Sequence, residues 1–268
     1  MKRKYILPLS IFFAITFCIA LVIAGLWFND NRRSNFTDKY VLFVRPETSV
    51  TAILDSLESG AGVMRYHSLK RCFKKEQVGE NLKPGRYVIE PSHTSIYVSR
   101  MLVRGWQTPG NMTLSGTIRT KGRLAQKIAS QMMVDSAEVA QALDSVEFLA
   151  QYGFTPENIF AMILPDTYQM FWTASVGEIF DRLKREYDVF WNADRLEKAK
   201  AQKLTPIQVS VLASIVSGET LKNFEYPRIA GVYLNRYRKK MKLQADPTVA
   251  FCFNYELDRI LKTHLQID

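Results

Sequence analysis

The apolar and polar positions divide the chain into one long unbroken apolar run and a body of short amphipathic elements. Residues 5–28 carry no charge and are rich in Ile, Leu, Phe, Ala and Val. At about 1.5 Å per residue the run reaches roughly 36 Å, enough to cross a hydrocarbon core about 30 Å thick. Pro8 falls near its start, where a helix tolerates proline, and Trp27 suits the far interface. Lys2, Arg3 and Lys4 precede the run and Arg32 and Arg33 follow it, which favours a cytoplasmic N-terminus. A cleaved signal peptide would have a shorter apolar region and a small-residue cleavage site, which is not found after Phe28. The expectation is an uncleaved single-pass anchor in the cytoplasmic (inner) membrane with an extracytoplasmic body.

After a polar stretch, Asn29–Lys39, that reads as a linker, Tyr40–Val44 has the pattern of a strand. Thr48 or Ser49 can cap a helix with Val50, Ile53, Leu54 and Leu57 on one face. A second helix is expected over Met64–Lys75, then a Pro84–Gly85 turn into a strand at Arg86–Ile89. The order strand, helix, helix, strand resembles a LysM-like module, a small fold often used on cell-wall glycans. A helix over Thr94–Val103 extends it to a break at Trp106–Gly110.

From Asn111 a strand near Met112–Ile118 and a helix over Arg123–Met133 start what reads as a partial repeat, with a turn at Lys121–Gly122. Asp135–Tyr152 is expected to be helical. Met162–Tyr168, with Phe171 and Trp172, reads as core around a Pro–Asp turn. Val176–Lys200 forms one amphipathic helix or two. Thr205 as N-cap and Pro206 at the first helical position open another, and Pro227 opens one through Met241. The predicted fold class is α+β: an N-terminal transmembrane helix in residues 1–28, a linker in 29–39, a LysM-like βααβ module in 40–110, and a mixed, mostly helical catalytic domain in 111–268.

Charge changes the picture by naming partners. The net charge is +10, from 36 basic and 26 acidic residues. Such a surface suits anionic lipid, an acidic polymer or nucleic acid. Nucleic acid is excluded by the expected location and by the lack of a recognisable module. Cys18 falls in the span, and Cys72 and Cys252 make no disulfide framework; free thiols are expected. His67, His93 and His264 are isolated in sequence, so neither metal nor cofactor is expected.

The candidate chemistry centres on Glu219. The stretch Leu212–Thr220 places it within about 60° of Leu212, Ile215 and Val216 on a helical wheel. Gly218 is the expected helix stop. A carboxyl held against an apolar wall, at the negative end of a helix, is favoured in its protonated form, as a general acid requires. Asn235 and Arg236 fall near the apolar face of the next helix and can donate hydrogen bonds to sugar hydroxyls or lactyl carboxylates. Asp246–Pro247 forces a turn that could set Gln244 and Asp246 opposite Glu219.

Leu212-Ala-Ser-Ile-Val-Ser-Gly-Glu-Thr220, Arg228-Ile-Ala-Gly-Val-Tyr-Leu-Asn-Arg236 and Met241-Lys-Leu-Gln-Ala-Asp-Pro-Thr-Val249, with Leu164-Pro-Asp-Thr-Tyr168 upstream, resemble the motifs of the endolytic murein transglycosylase family, the MltG or YceG-like proteins. The resemblance runs from the anchor to the last residue. It implies an endolytic lytic transglycosylase that cleaves MurNAc–GlcNAc bonds in nascent, uncrosslinked peptidoglycan strands, leaves 1,6-anhydro-muramyl ends and so terminates strand elongation. Its partners would be glycan strands, the cytoplasmic membrane and cell-wall synthases.

The family's catalytic glutamate falls on Glu219. Asn235, Arg236, Gln244, Asp246, Thr248, Asp166 and Tyr168 fall at positions expected to bind substrate. Where the family usually has Glu and Lys before that glutamate, this chain has Ser217 and Gly218, and it has Phe160–Ala161 where Glu-Gly is frequent. The chain stops at Asp268, ahead of segments that shape the family's cleft, and so reads as C-terminally truncated. The rival expectations are a non-catalytic, membrane-anchored peptidoglycan-binding protein, and a hydrolase pairing Glu219 with Asp246 or Asp166.

Overall fold

A computed structural model describes residues 3–253, 255 and 259–261; Lys2 and His264 lie outside the described residues. The fold is a mixture of helices and two small sheets, and the chain divides into two compact units. The N-terminal unit comprises residues 1–110 and 169–173, and the C-terminal unit comprises 111–168 and 174–268.

The N-terminal unit begins with α1 (Arg3–Asn31), which over Phe12–Asn31 is long and apolar enough to cross a membrane, with a mean hydropathy of 2.2 there. There follow β1 (Tyr40–Val44), α2 (Val50–Gly60), α3 (Tyr66–Lys75), the short α4 (Val78–Asn81), β2 (Gly85–Ile89) and α5 (Ser95–Arg104). The two strands pair antiparallel, with Tyr40 opposite Ile89 and Val44 opposite Gly85. Their alternation buries Leu42, Val44, Tyr87 and Ile89 on one face, as a half-covered sheet requires. Ile53 and Leu57 of α2, Leu69 and Phe73 of α3, and Val98 and Leu102 of α5 close over that face. Ser49 caps α2 by accepting from the Ala52 N–H at 3.2 Å, and Thr94 caps α5 by accepting from Tyr97.

The segment expected as a linker is packed into this unit. Asn35 and Phe36 are buried, and the Asn35 side chain accepts from the Arg65 N–H at 2.7 Å and donates to Ser95 Oγ at 2.9 Å. Asp30, still inside α1, binds Ser68 and Arg71. Polar composition suggested a tether; here the polar groups instead satisfy one another in the interior.

The chain then forms β3 (Gly110–Leu114), α6 (Lys121–Ala129), α7 (Ser136–Asp144), α8 (Val146–Ala150), a 3-10 turn at Ile159–Met162 and β4 (Asp166–Met170), with Gly110, Gln169 and Met170 belonging to the N-terminal unit. It continues with α9 (Val176–Phe190), α10 (Ala193–Ala201), α11 (Pro206–Glu219), a 3-10 turn at Asn223–Glu225, α12 (Tyr226–Arg238) and α13 (Asp246–Cys252). β3 pairs with β4, and Thr113 and Thr167 hydroxyls meet across them at 2.9 Å. Phe148, Tyr152 and Phe180 stack edge-on or tilted in the core beside α9.

Several elements differ from the sequence reading. Helix begins at Lys121 because Thr120 caps it, where a turn was expected. One expected helix over 135–152 is two, broken at Ser145, whose hydroxyl caps the second by accepting from Phe148 N–H. Leu164–Tyr168 supplies the start of a strand, and Asp246–Pro247 opens a helix because proline is suited to its first turn. Cys72 is buried, Cys252 is exposed, and both are free thiols; burial pushes the Cys72 thiol up to about 12.

Candidate functional site

The site is built by α11, α12 and α13 around a small apolar cluster. Thr205 starts α11 with a reciprocal cap: its hydroxyl accepts from the Gln208 N–H, and its own N–H donates to Gln208 Oε1 at 2.8 Å. Ile215 and Val216 then turn inward and pack with Tyr233 and Ala245. Leu212, Ile229 and Leu243 flank this cluster.

Glu219 is the last residue of α11. Thr220 leaves the helix in an extended conformation, and its hydroxyl donates to Glu225 at 2.6 Å while accepting from the Lys222 N–H. The turn out of the helix is thereby fixed. Glu219 is exposed, which corrects the expectation that its carboxyl lies against an aliphatic wall. A helical wheel gives the direction of a side chain about its own axis, and a residue at the last turn has no following turn to cover it.

What holds the carboxyl is Tyr233. Its hydroxyl donates to Glu219 Oε1 at 2.7 Å, while its ring lies in the apolar cluster. Burial first, then this hydrogen bond and the neighbouring negative charge, push the phenol up to about 12. The phenol therefore stays a donor throughout the neutral range. Arg236 and Asp246 are close enough for their charges to act on the same hydroxyl, in opposite senses.

Gly218 has a packing function and not the stop function expected of it. A Cβ at this position would stand 2.8 Å from Pro247 Cγ, inside ordinary contact distance. The missing side chain lets the first turn of α13 dock on the last turn of α11, which sets Asp246 near Tyr233 and Glu219. The Arg236 guanidinium fixes the intervening loop: it donates to the carbonyls of Lys242 and Leu243 and to Gln244 Oε1 at 2.9 Å. Gln244 itself adopts a left-handed conformation with φ of 54°, a shape seldom tolerated without such support.

The structure thus brings Glu219, Arg236, Gln244 and Asp246 together with Tyr233. Arg236, expected to bind substrate, is committed to loop carbonyls. Asn235 lies about 200° from Tyr233 on the helical wheel and points away from this group. The Thr248 hydroxyl donates to Ala245 O at 2.7 Å, within the first turn of α13. Asp166 is exposed and accepts from the Thr167 N–H. Tyr168 corrects another expectation: it is buried, and its hydroxyl donates to Leu164 O at 2.6 Å. A side chain so enclosed anchors the start of β4 and is closed to a sugar.

Nothing in the sequence reading assigns Tyr233 a role at the site. A tyrosine on an inward face requires a partner for its hydroxyl, and that requirement was the available signal. No group of three or more His, Cys, Asp or Glu able to hold a metal ion occurs among the described residues.

Residues 42–268 match the YceG-like family. A stretch of 69 residues is 36% identical to the endolytic murein transglycosylase of Bacillus subtilis strain 168, and takes in 26% of this chain and 19% of that relative. The chain thus matches about a fifth of the length of that curated protein. The fold is similar to the crystal structure of a YceG-like protein from Listeria monocytogenes, with a TM-score of 0.55 and 22% identity over 86% of this chain and 80% of that one.

Proposed function

The chain belongs to the YceG-like family, and from that premise we propose that it is a membrane-anchored lytic transglycosylase acting inside peptidoglycan strands. Glu219 is its acid and base. The protonated carboxyl gives its proton to the oxygen joining MurNAc C1 to GlcNAc as that C–O bond breaks. The resulting carboxylate then takes the proton of the same muramyl unit's C6 hydroxyl as O6 bonds to C1. The product carries a 1,6-anhydro end, the proton balance returns to its start and no water is consumed. A second carboxylate acting as nucleophile or water activator, as in ordinary glycosidases, is not required.

The observation that carries this reading is the hydrogen bond from Tyr233 to Glu219 at the end of α11. It leaves one carboxyl oxygen oriented by a buried phenol and the side chain open to solvent. An internal bond of a long polymer can reach only an open site. Desolvation of the acid then comes from the bound strand covering it. Gln244, Asp246 and Asp166, whose side chains are exposed, are the polar groups available to sugar hydroxyls, and the Thr248 hydroxyl extends that set.

On the same reading residues 40–110 form a LysM-like glycan-holding module, 111–268 is the catalytic domain, and α1 crosses the cytoplasmic membrane with its N-terminus inside. Glycan strands are the substrate, strand termination the physiological outcome, and cell-wall synthases the neighbouring machinery. The exposure of Glu219 favours a second reading, a protein that binds strands without cutting them.

Digestion of uncrosslinked glycan strands, with the new ends identified by mass spectrometry, separates the readings. Anhydro-muramyl ends support the proposal, reducing ends indicate a hydrolase, and bound but uncut strands indicate the second reading. Glu219→Gln should lower cleavage by about a hundred- to ten-thousand-fold, the usual contribution of a general acid and base. Undiminished cleavage in that variant would remove Glu219 from the mechanism.

A further inference from the structure

α1 does not stop where its apolar run ends. Asp30 lies two residues beyond Phe28, about 3 Å further along the helix axis, whereas the headgroup layer adds about 5–7 Å on each side of the hydrocarbon. Asp30 is therefore at headgroup level when residues 5–28 span the bilayer. It is 8% exposed and accepts from Ser68 Oγ at 2.6 Å and from Arg71 Nε at 2.9 Å. The first element past the membrane is thus fixed to α3 without an intervening tether.

The partners of α3 also give its direction. Arg65, just before its first turn, donates to the carbonyls of Arg33 and Ser34. Ser68 and Arg71, one and two turns on, reach back to Asp30. The Lys75 charge also acts on Asp30. From Arg65 to Ser68 and Arg71 the partner on the exit segment moves from Arg33 and Ser34 back to Asp30, so α3 runs back toward the bilayer. Its last turn lies beyond Arg71 in that direction. That turn carries Lys74 and Lys75, with Lys70 one turn before, and all three are exposed. None of the three forms an ion pair among the described residues, although Lys70 lies over the Tyr66 ring at 5.5 Å.

We propose that the end of α3 is a docking surface for the phosphates of anionic phospholipids in the leaflet where α1 emerges. Charge complementarity and continuity with the membrane span select this occupant. Long lysine side chains can keep their ammonium groups in the phosphate layer while α3 lies beside it. The buried Asp30 contact makes the arrangement rigid, so the N-terminal unit is seated on the bilayer and not suspended above it. This proposal is independent of the activity assigned to Glu219.

The test uses the full chain inserted into vesicles of phosphatidylglycerol or of phosphatidylcholine, with a neutral, water-soluble acylating reagent and mass spectrometry of each lysine. Lys74 and Lys75 should react about fivefold more slowly in phosphatidylglycerol, from the usual attraction of one basic residue near an anionic surface. Lys39, further along the chain from the span and paired with Glu90 at 2.7 Å, should react alike in both. In the Lys74→Glu/Lys75→Glu chain the protection of Lys70 should fall. Equal reactivity of Lys74 and Lys75 in the two lipids would overturn the proposal, as would equal protection of Lys39. Protection by inorganic phosphate in phosphatidylcholine vesicles would also overturn it, because it would indicate a free-anion site.

Discussion

Among the described residues, fifteen buried apolar residues make the core around β1 and β2, whereas four make the cluster beneath Glu219. In the first, a two-stranded sheet and three helices enclose side chains such as Ile53, Leu57 and Tyr87 completely. In the second, Ile215 and Val216 remain 7% and 5% exposed, and Leu221 and Phe224 beside the site are 93% and 78% exposed. Stability in the first region comes from volume filled. In the second, position comes from individual contacts: a glycine under a proline, a phenol on a carboxylate, a guanidinium on a loop. A region of this kind can lose function without losing much stability.

Substitutions can break that contrast. The largest effect expected is the loss of cleavage in Glu219→Gln, and it should come with almost no change in thermal stability because the side chain is exposed. Stable protein with normal activity, or unfolded protein, would each contradict the account. Leu57→Ala should cost about 2–5 kcal/mol, the range for truncating a fully buried leucine, read from urea unfolding. The same truncation at Ile215 should fall at the low end of that range, since the cluster around it is thinner.

Gly218→Ala should cost about 1–3 kcal/mol from overpacking and should lower cleavage more than that cost alone explains. The added methyl displaces Pro247, and with it Asp246, from the end of α11. If cleavage survives intact while stability drops, the docking of α13 is structural only. Tyr233→Phe should have a smaller effect. Loss of the hydroxyl frees the carboxyl to leave the orientation that the phenol sets, so kcat should fall about tenfold, the rate equivalent of roughly 1.4 kcal/mol, with KM unchanged. An unchanged kcat with lowered stability would make Tyr233 a packing residue.

Leu221→Ser and Phe224→Ser should alter stability by no more than about 0.5 kcal/mol. A large loss would mean that these side chains are covered in the working protein.

The same contrast explains what could be read from sequence. β1 has the predicted bounds because alternation and flanking polar residues are local signals. Thr205 and Pro206 open α11 as expected, since capping chemistry lies within four residues. β3 and β4 were harder, because a strand in a two-stranded sheet is defined by a partner more than fifty residues away. Asn35 and Asp30 were hidden for a different reason: they are polar residues whose partners, Arg65, Ser68, Arg71 and Ser95, are supplied by other helices.

At the site, the sequence identified the helix that carries Glu219 but not the exposure of its last turn. It read Asp246–Pro247 as a turn, where the structure opens α13. It did not show that Tyr168 is buried or that Arg236 holds loop carbonyls, because residue type shows what a side chain can bind and not what already binds it. Gly218 reads in sequence as a helix stop, yet the reason for glycine there is Pro247, 29 positions later in the chain.

The central claim is that a single carboxylate transfers one proton out and one back while the sugar's own hydroxyl closes the ring. Digestion of glycan strands in water enriched in heavy oxygen tests this directly. The account predicts new muramyl ends one water lighter than reducing ends and free of heavy oxygen. Reducing ends carrying the heavy isotope would show that water is the nucleophile, and would contradict it.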